Sequence, residues 1–211
     1  MHEQTLKFYR SITGSLSKPS KMPGRGYGLP ALTSCRTGSI LAQVEGTTCS
    51  HCYACRGNYR FPAVKAAQQR RLEALDHPRW EESMIKLIGR LKEPYFRWHD
   101  SGDLQSVEHL MKLDYIARAL PRMQFWLPTH ERGIVNEYQD TFGPVSKNLV
   151  IRLSSAKIDV RPPKTGLCTS SVHRHAEPFG YACPASKQDN SCGDCRACWD
   201  PSVKNVSYKF H

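Results

Sequence analysis

Two short cysteine motifs are the strongest chemical signal in this sequence. Each has the form C-x2-C-x2-C, and their members are Cys49, Cys52 and Cys55, followed by Cys192, Cys195 and Cys198. Three thiolates on one tight loop fit three corners of a cubane iron–sulfur cluster, whereas C-x2-C pairs also suit tetrahedral zinc. The motifs therefore predict one or two iron–sulfur clusters of the [4Fe–4S] type, with zinc as the alternative.

The three remaining cysteines are candidates for a fourth ligand. Cys183 lies nine residues before Cys192 and can complete the second motif. Cys35 or Cys168 can complete the first motif, unless one iron there stays open. The nine cysteines then divide as four, four and one, or as three, four and two, and a single cluster drawing on both motifs also fits. The weaker candidates are His51, His173 and His175, since such histidines more often support a ligand than bind the metal.

The cysteine count also predicts a compartment. Nine is an odd number, so these cysteines cannot all pair within one chain. The N-terminal residues lack the apolar stretch of about 7–15 residues that marks a secretory signal. We therefore expect a reducing cytoplasm and metal binding rather than disulfides. We expect no membrane span, because no apolar run approaches the roughly 18–20 residues that one requires.

Positive charge is concentrated in the first third of the chain. The net charge is +11, and residues 1–75 carry eleven Lys and Arg against three Asp and Glu. Such a field favours an anionic partner, nucleic acid first, and a host protein is the other candidate. Aromatic and basic residues alternate from Tyr53 to Phe61, which suits base stacking. Two other interpretations stay open: the cations offset metal-bound thiolates, and Tyr53 and Phe61 pack over a cluster.

Apolar periodicity predicts alternating strands and helices in the middle of the chain. Strands are expected at 27–33, 95–99, 124–127 and 148–153, and helices at 63–75, 80–91, 107–120 and 134–142. Units of about 25 residues are typical of parallel β/α architecture, and their small number favours a partial, open barrel. The predicted organisation is a basic N-terminal arm at 1–26, a barrel with a cysteine loop at 27–160, and an irregular, cysteine-rich metal-binding segment at 161–211.

Polar residues follow the predicted strands where each strand ends. Ser101, Gly102 and Asp103 follow one strand, and Thr129 follows the next. In parallel β/α folds, ligand-binding groups gather at the carboxyl ends of the strands. Asp103 is also typical of a helix N-cap, and Asp100-Ser-Gly is typical of a turn. Both roles are compatible with lining a pocket.

These features together resemble the radical S-adenosylmethionine (SAM) enzymes. The resemblance lies in a cysteine triad after the first strand, a helix, a strand ending in Ser101-Gly102-Asp103, and a strand ending in Thr129. It implies a partial (β/α)6 barrel, a [4Fe–4S] cluster on the first triad whose fourth iron binds SAM, and a SAM pocket at those strand ends. The family triad is one residue longer and has an aromatic where this chain has Ala54, and its Gly-Gly-Glu is replaced by Ser-Gly-Asp.

A closer similarity is to the bacteriophage gene product eighty-eight family. The shared features are LPA followed by a TxC segment, CYAC, FRWHDSGD, FW near a Thr, and CGDCRACW, over roughly residues 29–200. This resemblance implies a phage origin and the cytoplasm of an infected host cell.

Two functions follow as alternatives. One is an iron–sulfur enzyme of radical-SAM type, and the other is a non-catalytic iron–sulfur or zinc protein whose basic face binds nucleic acid or a host protein. The sequence leaves open whether the protein is an enzyme.

Overall fold

A computed structural model describes residues 5–210 of the chain and contains one sheet with helices packed against it. The strands are β1 (Arg25–Tyr27), β2 (Tyr95–Trp98), β3 (Gln124–Thr129), β4 (Leu149–Ser154), β5 (Cys168–His173), β6 (Tyr181–Ala182) and β7 (Asn205–Lys209). The α-helices are α1 (Leu6–Thr13), α2 (Arg36–Leu41), α3 (Pro62–Ala74), α4 (Trp80–Ile88), α5 (Val107–Ala119) and α6 (Arg132–Phe142). Short 3-10 turns carry the cysteine motifs at Cys49–His51, Tyr53–Cys55 and Ala197–Trp199.

All seven strands are parallel and pair in the order β1-β2-β3-β4-β5-β7-β6. The first five strands are neighbours in chain order, and α-helices connect β1 to β2, β2 to β3 and β3 to β4. The predicted α/β class with a parallel sheet is therefore confirmed. The sheet is open, since β1 and β6 are its two edges. That the open sheet curves into a partial barrel stays a prediction.

The main core lies between the sheet and the helices. Alternate strand residues point into it, and among them are the bulky side chains of Phe96, Trp98 and Phe125. The stripe on α5 that the 3–4 periodicity predicted is buried here, with Leu110, Leu113 and Ile116 fully enclosed.

A second, smaller core covers the opposite face of the sheet. Trp126 from β3 and Val206 from β7 pack there against Ala197, Cys198 and Trp199. The cysteine-rich segment before β7 therefore serves as the cover of this face. The indole of Trp199 donates a hydrogen bond of 2.9 Å to the carbonyl of Phe96, which ties the cover to β2.

The N-terminal region differs from the predicted extended arm. Residues Leu6–Thr13 form α1, whose Tyr9, Ile12 and Thr13 are buried, so helical burial of one face outweighs the polar composition. Gly14 ends the helix at a φ of 70°, a left-handed conformation that favours glycine. The first strand is also earlier and shorter than predicted, at Arg25–Tyr27 rather than 27–33.

The C-terminal segment is more regular than predicted. It supplies β5, β6 and β7, all within the main sheet. These strands were missed because small polar residues replace the apolar alternation. Ser171 and Ser207, both buried, hydrogen-bond to each other across β5 and β7 at 3.2 Å.

Within residues 5–210, no helix combines the length and apolar character that crossing a bilayer requires.

Candidate functional site

The first cysteine motif lies at the carboxyl edge of the sheet. Thr48, just before the motif, donates its amide to the carbonyl of Ala156 beyond β4 at 2.8 Å. Its hydroxyl donates to the carbonyl of Ser155 at 3.2 Å and lies 3.5 Å from Nε2 of His130 beyond β3. The loop is thus fixed to the ends of two strands, at the edge where parallel β/α folds place functional groups.

Four cysteines converge at this edge and are called the first cysteine set: Cys35, Cys49, Cys52 and Cys55. Burial raises the pKa of Cys35 to about 12, and nearby Asp103 and Cys52 add to the rise. Burial also raises the pKa of Cys49 to about 11, with Cys52 and Cys55 contributing. Each thiol therefore lies within electrostatic reach of others in the set, which places Cys35 with the first motif.

Gly38 allows two members of this set to approach each other. A Cβ atom at Gly38 would lie 2.9 Å from Cβ of Cys35, a contact too close to tolerate. The same point is 3.8 Å from Sγ of Cys35 and 3.6 Å from Sγ of Cys49. Both sulfurs therefore lie within 4 Å of one position that only a glycine leaves empty.

The other four motif-associated cysteines form the second cysteine set: Cys183, Cys192, Cys195 and Cys198. Burial raises the pKa of Cys192, and the neighbouring thiols of Cys183 and Cys195 raise it further. Burial raises the pKa of Cys198 to about 12. A hydrogen bond with Tyr208 partly offsets this rise in pKa, and the nearby Cys183 thiol adds to it. The structure thus brings Cys183 to the second motif, as the spacing predicted.

Two tyrosine hydroxyls contact sulfur atoms of the second set. The hydroxyl of Tyr208 lies 3.2 Å from Sγ of Cys198, and that of Tyr181 lies 3.4 Å from Sγ of Cys195. Both tyrosines come from β6 and β7, so the strands that the sequence did not predict help to position these thiols.

Arg152 in β4 holds the second motif on the sheet. Its side chain is fully buried, and its guanidinium donates to five backbone carbonyls, those of Ala197, Cys198, Asp200, Val203 and Thr169, at 2.7–3.3 Å. Every N–H of the guanidinium is therefore used. Four of the five acceptors lie in the segment 197–203, so this one side chain fixes its course.

Cys168 is in neither set. It lies in β5, where its buried thiol donates to the carbonyl of Pro201 at 3.4 Å. All nine thiols are free. Across residues 5–210, no three His, Cys, Asp or Glu side chains are arranged to hold a single metal ion.

The strand-end residues Ser101, Gly102, Asp103 and Thr129 lie together next to the first set. The carboxylate of Asp103 accepts hydrogen bonds from the Thr129 hydroxyl, from the amide of His130 at 2.9 Å and from the amide of Leu104 at 2.8 Å. Burial raises the pKa of Asp103 to about 7, although these hydrogen bonds oppose the rise. Asp103 thus joins the ends of β2 and β3, and three of its acceptor positions are occupied within the protein.

The neighbouring Ser101 and Gly102 are equally enclosed. The hydroxyl of Ser101 donates to the carbonyl of Leu29 and accepts from Gln68, both at 2.7 Å. Gly102 has a φ of 75°, and a Cβ there would lie 2.5 Å from Cβ of Leu29 and 2.6 Å from Oγ of Ser34. The tripeptide therefore packs β2 against the segment that leads to Cys35.

A network of aromatic and charged residues connects the first motif to β2. Arg97 donates to the hydroxyl of Tyr53 at 2.9 Å, and that hydroxyl donates to the carbonyl of Asp100 at 2.6 Å. The hydroxyl of Tyr59 donates to the Asp100 carboxylate at 3.1 Å. The guanidinium of Arg97 also lies 4.3 Å from the ring centre of Trp126. The sequence analysis did not identify Arg97. A charged residue between the core-facing Phe96 and Trp98 could have indicated that the opposite face of β2 has a polar role.

The weaker histidine candidates make contacts with other residues. The ring of His51 packs edge-on against Phe210 at 5.2 Å, and Nδ1 of His173 lies 2.9 Å from the hydroxyl of Ser207. The backbone amide of His175 donates to the Asp159 carboxylate at 3.1 Å.

A family model described as "Gene product 88" matches residues 4–201 of the chain. No curated protein and no solved structure matches significantly.

Proposed function

The chain belongs to the gene product 88 family, and we propose that it is an iron–sulfur protein that holds two [4Fe–4S] clusters, one on each cysteine set. The observation that carries the proposal is the grouping of eight cysteines into two sets of four, with Cys168 left over. Each set contains one tight C-x2-C-x2-C loop and one distant cysteine, which is a ligand pattern typical of cubane clusters.

The chemistry of the donors fits this group. Soft thiolates select iron–sulfur clusters or zinc over hard cations. Crowded, buried thiols are costly to ionise, as the raised pKa of Cys35 and Cys198 indicates, and a bound metal centre compensates by deprotonating its ligands. When bound, each cluster would supply one-electron chemistry or rigid cross-linking. Arg97, whose charge lowers the pKa of Cys192 and Cys198, offsets the negative charge of the second set.

Zinc is the alternative occupant. A tetrahedral zinc ion with bonds of about 2.3 Å requires its four sulfurs to lie roughly 3.8 Å apart. In a cubane cluster each thiolate binds a different iron, so the sulfurs are farther from one another. Metal analysis separates these two cases directly.

The test is anaerobic purification followed by iron, acid-labile sulfide and zinc analysis. We expect a brown protein with absorbance near about 400 nm and about eight irons per chain, given two four-iron clusters. Cys195→Ser should lose close to half of the iron, whereas Cys168→Ser, the matched control, should keep all of it. A colourless protein containing stoichiometric zinc would refute the proposal, as would equal iron loss in the two variants.

A second candidate function is radical-SAM-type chemistry at the first set, within a partial barrel. It is favoured by the position of Asp103, which lies within electrostatic reach of Cys35 and Cys49 at the carboxyl edge. It requires that Cys35 is not a ligand, because one iron must stay open. Under reduction with dithionite, Cys35→Ser should then retain its iron and cleave SAM to methionine and 5′-deoxyadenosine. If Cys35 is the fourth ligand, this variant loses iron from the first set and no SAM is cleaved.

The proposal extends to location and partners. Nine free thiols are compatible with a reducing compartment, and we place the protein in the cytoplasm of the infected host cell. Its basic N-terminal third would bind nucleic acid or a host protein.

A further inference from the structure

We propose that single-stranded nucleic acid binds to an exposed surface beside the first cysteine set. This surface is called the Phe61 surface and consists of Tyr53, Arg56, Arg60, Phe61 and Lys65. The inference rests on the proposed function in one respect: it takes the first cysteine set as the functional site that the bound strand would reach.

The charge of this surface is of one sign. From residue 46 to residue 72 the chain contains five Lys and Arg and no Asp or Glu. Arg56, Arg60 and Lys65 are all exposed. Three exposed cations within ten residues, with no carboxylate in this stretch to neutralise them, favour a ligand with regularly spaced negative charges.

The aromatic residues of this surface are available for stacking. Phe61 is 57% exposed and Tyr53 is 45% exposed, so neither ring is buried over the thiols. An exposed aromatic ring between arginines is the arrangement on which unpaired bases stack, with the guanidinium groups reaching the phosphates. An acidic protein would use the cations but would leave the Phe61 ring in water, which is why we favour a nucleic acid.

The Tyr53 ring is also held in place before any ligand binds. The hydroxyls of Tyr53 and Tyr59 are both hydrogen-bonded to Asp100, and the two rings pack edge-on with centres 5.8 Å apart. Phe61 directly precedes Pro62, the first residue of α3, so its backbone is restricted. Little conformational entropy is therefore lost when a base stacks on Tyr53, and at Phe61 the backbone contributes little to the loss.

The start of α3 provides a further site for phosphate. This 13-residue helix begins without a side-chain cap, and its first turn contains no acidic residue. Pro62 has no amide hydrogen, and the amides of Val64 and Lys65 donate to the carbonyl of Phe61. The start of α3 would therefore attract a phosphate of the bound strand through the positive end of the helix dipole.

The experiment is fluorescence anisotropy with labelled 12-nucleotide dT and rU strands, on protein whose iron content has been measured. Phe61→Ala should weaken binding by roughly 5- to 150-fold. Arg56→Gln/Arg60→Gln should reduce the slope of log affinity against log salt by about 1.4, because each lost phosphate contact contributes about 0.7 for single strands. Phe142→Ala, an aromatic 51% exposed on α6, and Lys92→Gln/Lys147→Gln are the matched controls and should bind normally.

Three outcomes would overturn the inference. The first is equal affinity of the wild type and Phe61→Ala for both strands. The second is full competition by a duplex of the same length, which would mean that unpaired bases are not recognised. The third is full competition by polyglutamate at equal charge, which would point to an acidic protein. Because iron is measured in the same samples, strand binding without iron would refute the proposed clusters alone, and iron without strand binding would refute this surface alone.

Discussion

Replacing Arg152 by methionine should release the second cysteine set from the sheet. Methionine fills much of the same volume but removes all five donors to the backbone carbonyls of residues 169 and 197–203. Three of these hydrogen bonds are fully buried. Each buried carbonyl left without a donor costs roughly 1–3 kcal/mol, so the loss is about 3–6 kcal/mol after local relaxation. That is a large part of the 5–15 kcal/mol typical of a whole domain.

The loss should be local, because Arg152 contacts the covering segment rather than the helical core. Hydrogen exchange followed by mass spectrometry should show amides of residues 195–203 exchanging at least about 100-fold faster, the factor that roughly 3 kcal/mol implies. Amides in α5 and β3 should change little. If the second set holds a cluster as proposed, the iron content should fall in parallel.

Two further variants make the test specific. Arg152→Lys keeps the charge but has three donors instead of five, so its exchange should lie between wild type and Arg152→Met. Arg132→Met removes an exposed arginine from α6 and should behave as wild type. If Arg152→Met retained wild-type protection at 195–203, the five hydrogen bonds would not hold this segment and the reasoning would be wrong.

The remaining predictions concern a glycine, a buried histidine and a tyrosine. Gly102→Ala should reduce the free energy of unfolding by about 1–3 kcal/mol and lower the midpoint of thermal unfolding, because Gly102 has a φ of 75° and a Cβ there would overlap Leu29. Gly133→Ala, the control, has open space around it and should leave the midpoint unchanged. Equal midpoints for the two variants would contradict this reasoning. Burial lowers the pKa of His109 to about 3. As the pH falls below about 6.5, the unfolded chain therefore binds a proton at this residue that the folded chain does not. The free energy of unfolding should then fall by up to about 1.4 kcal/mol per pH unit in that range. Urea unfolding at pH 7 and pH 5 should show a smaller pH effect in His109→Gln than in the exposed control His175→Gln, and an unchanged effect would refute it. Tyr53→Phe removes the hydroxyl that joins Arg97 to Asp100, so loop 49–55 should exchange its amides faster while β4 stays protected; unaltered exchange would show that the ring alone orders the loop.

The central part of the fold could be predicted because its core residues follow simple periods. Leu110, Leu113 and Ile116 are spaced as on one helix face, and Phe96 and Trp98 alternate as in a strand. The strands β5 to β7 could not be predicted, since Ser171 and Ser207 are buried through hydrogen bonds to each other rather than through apolar character. Similarly, α1 is only eight residues long and buries three of them, so its apolar stripe is too short to stand out beside the polar residues that follow it.

The grouping of the cysteines was predictable where it depends on local spacing alone. The two motifs and Cys183 follow from local sequence, and the structure groups them as expected. Cys35 could not be chosen over Cys168, because its approach to Cys49 depends on the close packing at Gly38. The roles of Arg97 and Arg152 could not be predicted, because they depend on the face of the sheet opposite the helical core. That face is covered by the cysteine-rich segment before β7, which is distant in sequence from both arginines.

The position of β7 between β5 and β6 makes the second cysteine set depend on a single strand. β6 has no neighbour in the sheet except β7, and the amide of Cys183, directly after β6, donates to the carbonyl of Ser207. Because β7 follows β6 by more than twenty residues, a long loop must close before β6 can pair. The position of Cys183 therefore depends on β7, which also supplies the Tyr208 hydroxyl that contacts Cys198. Removing β7 should therefore free thiols of the second set that the complete sheet holds together.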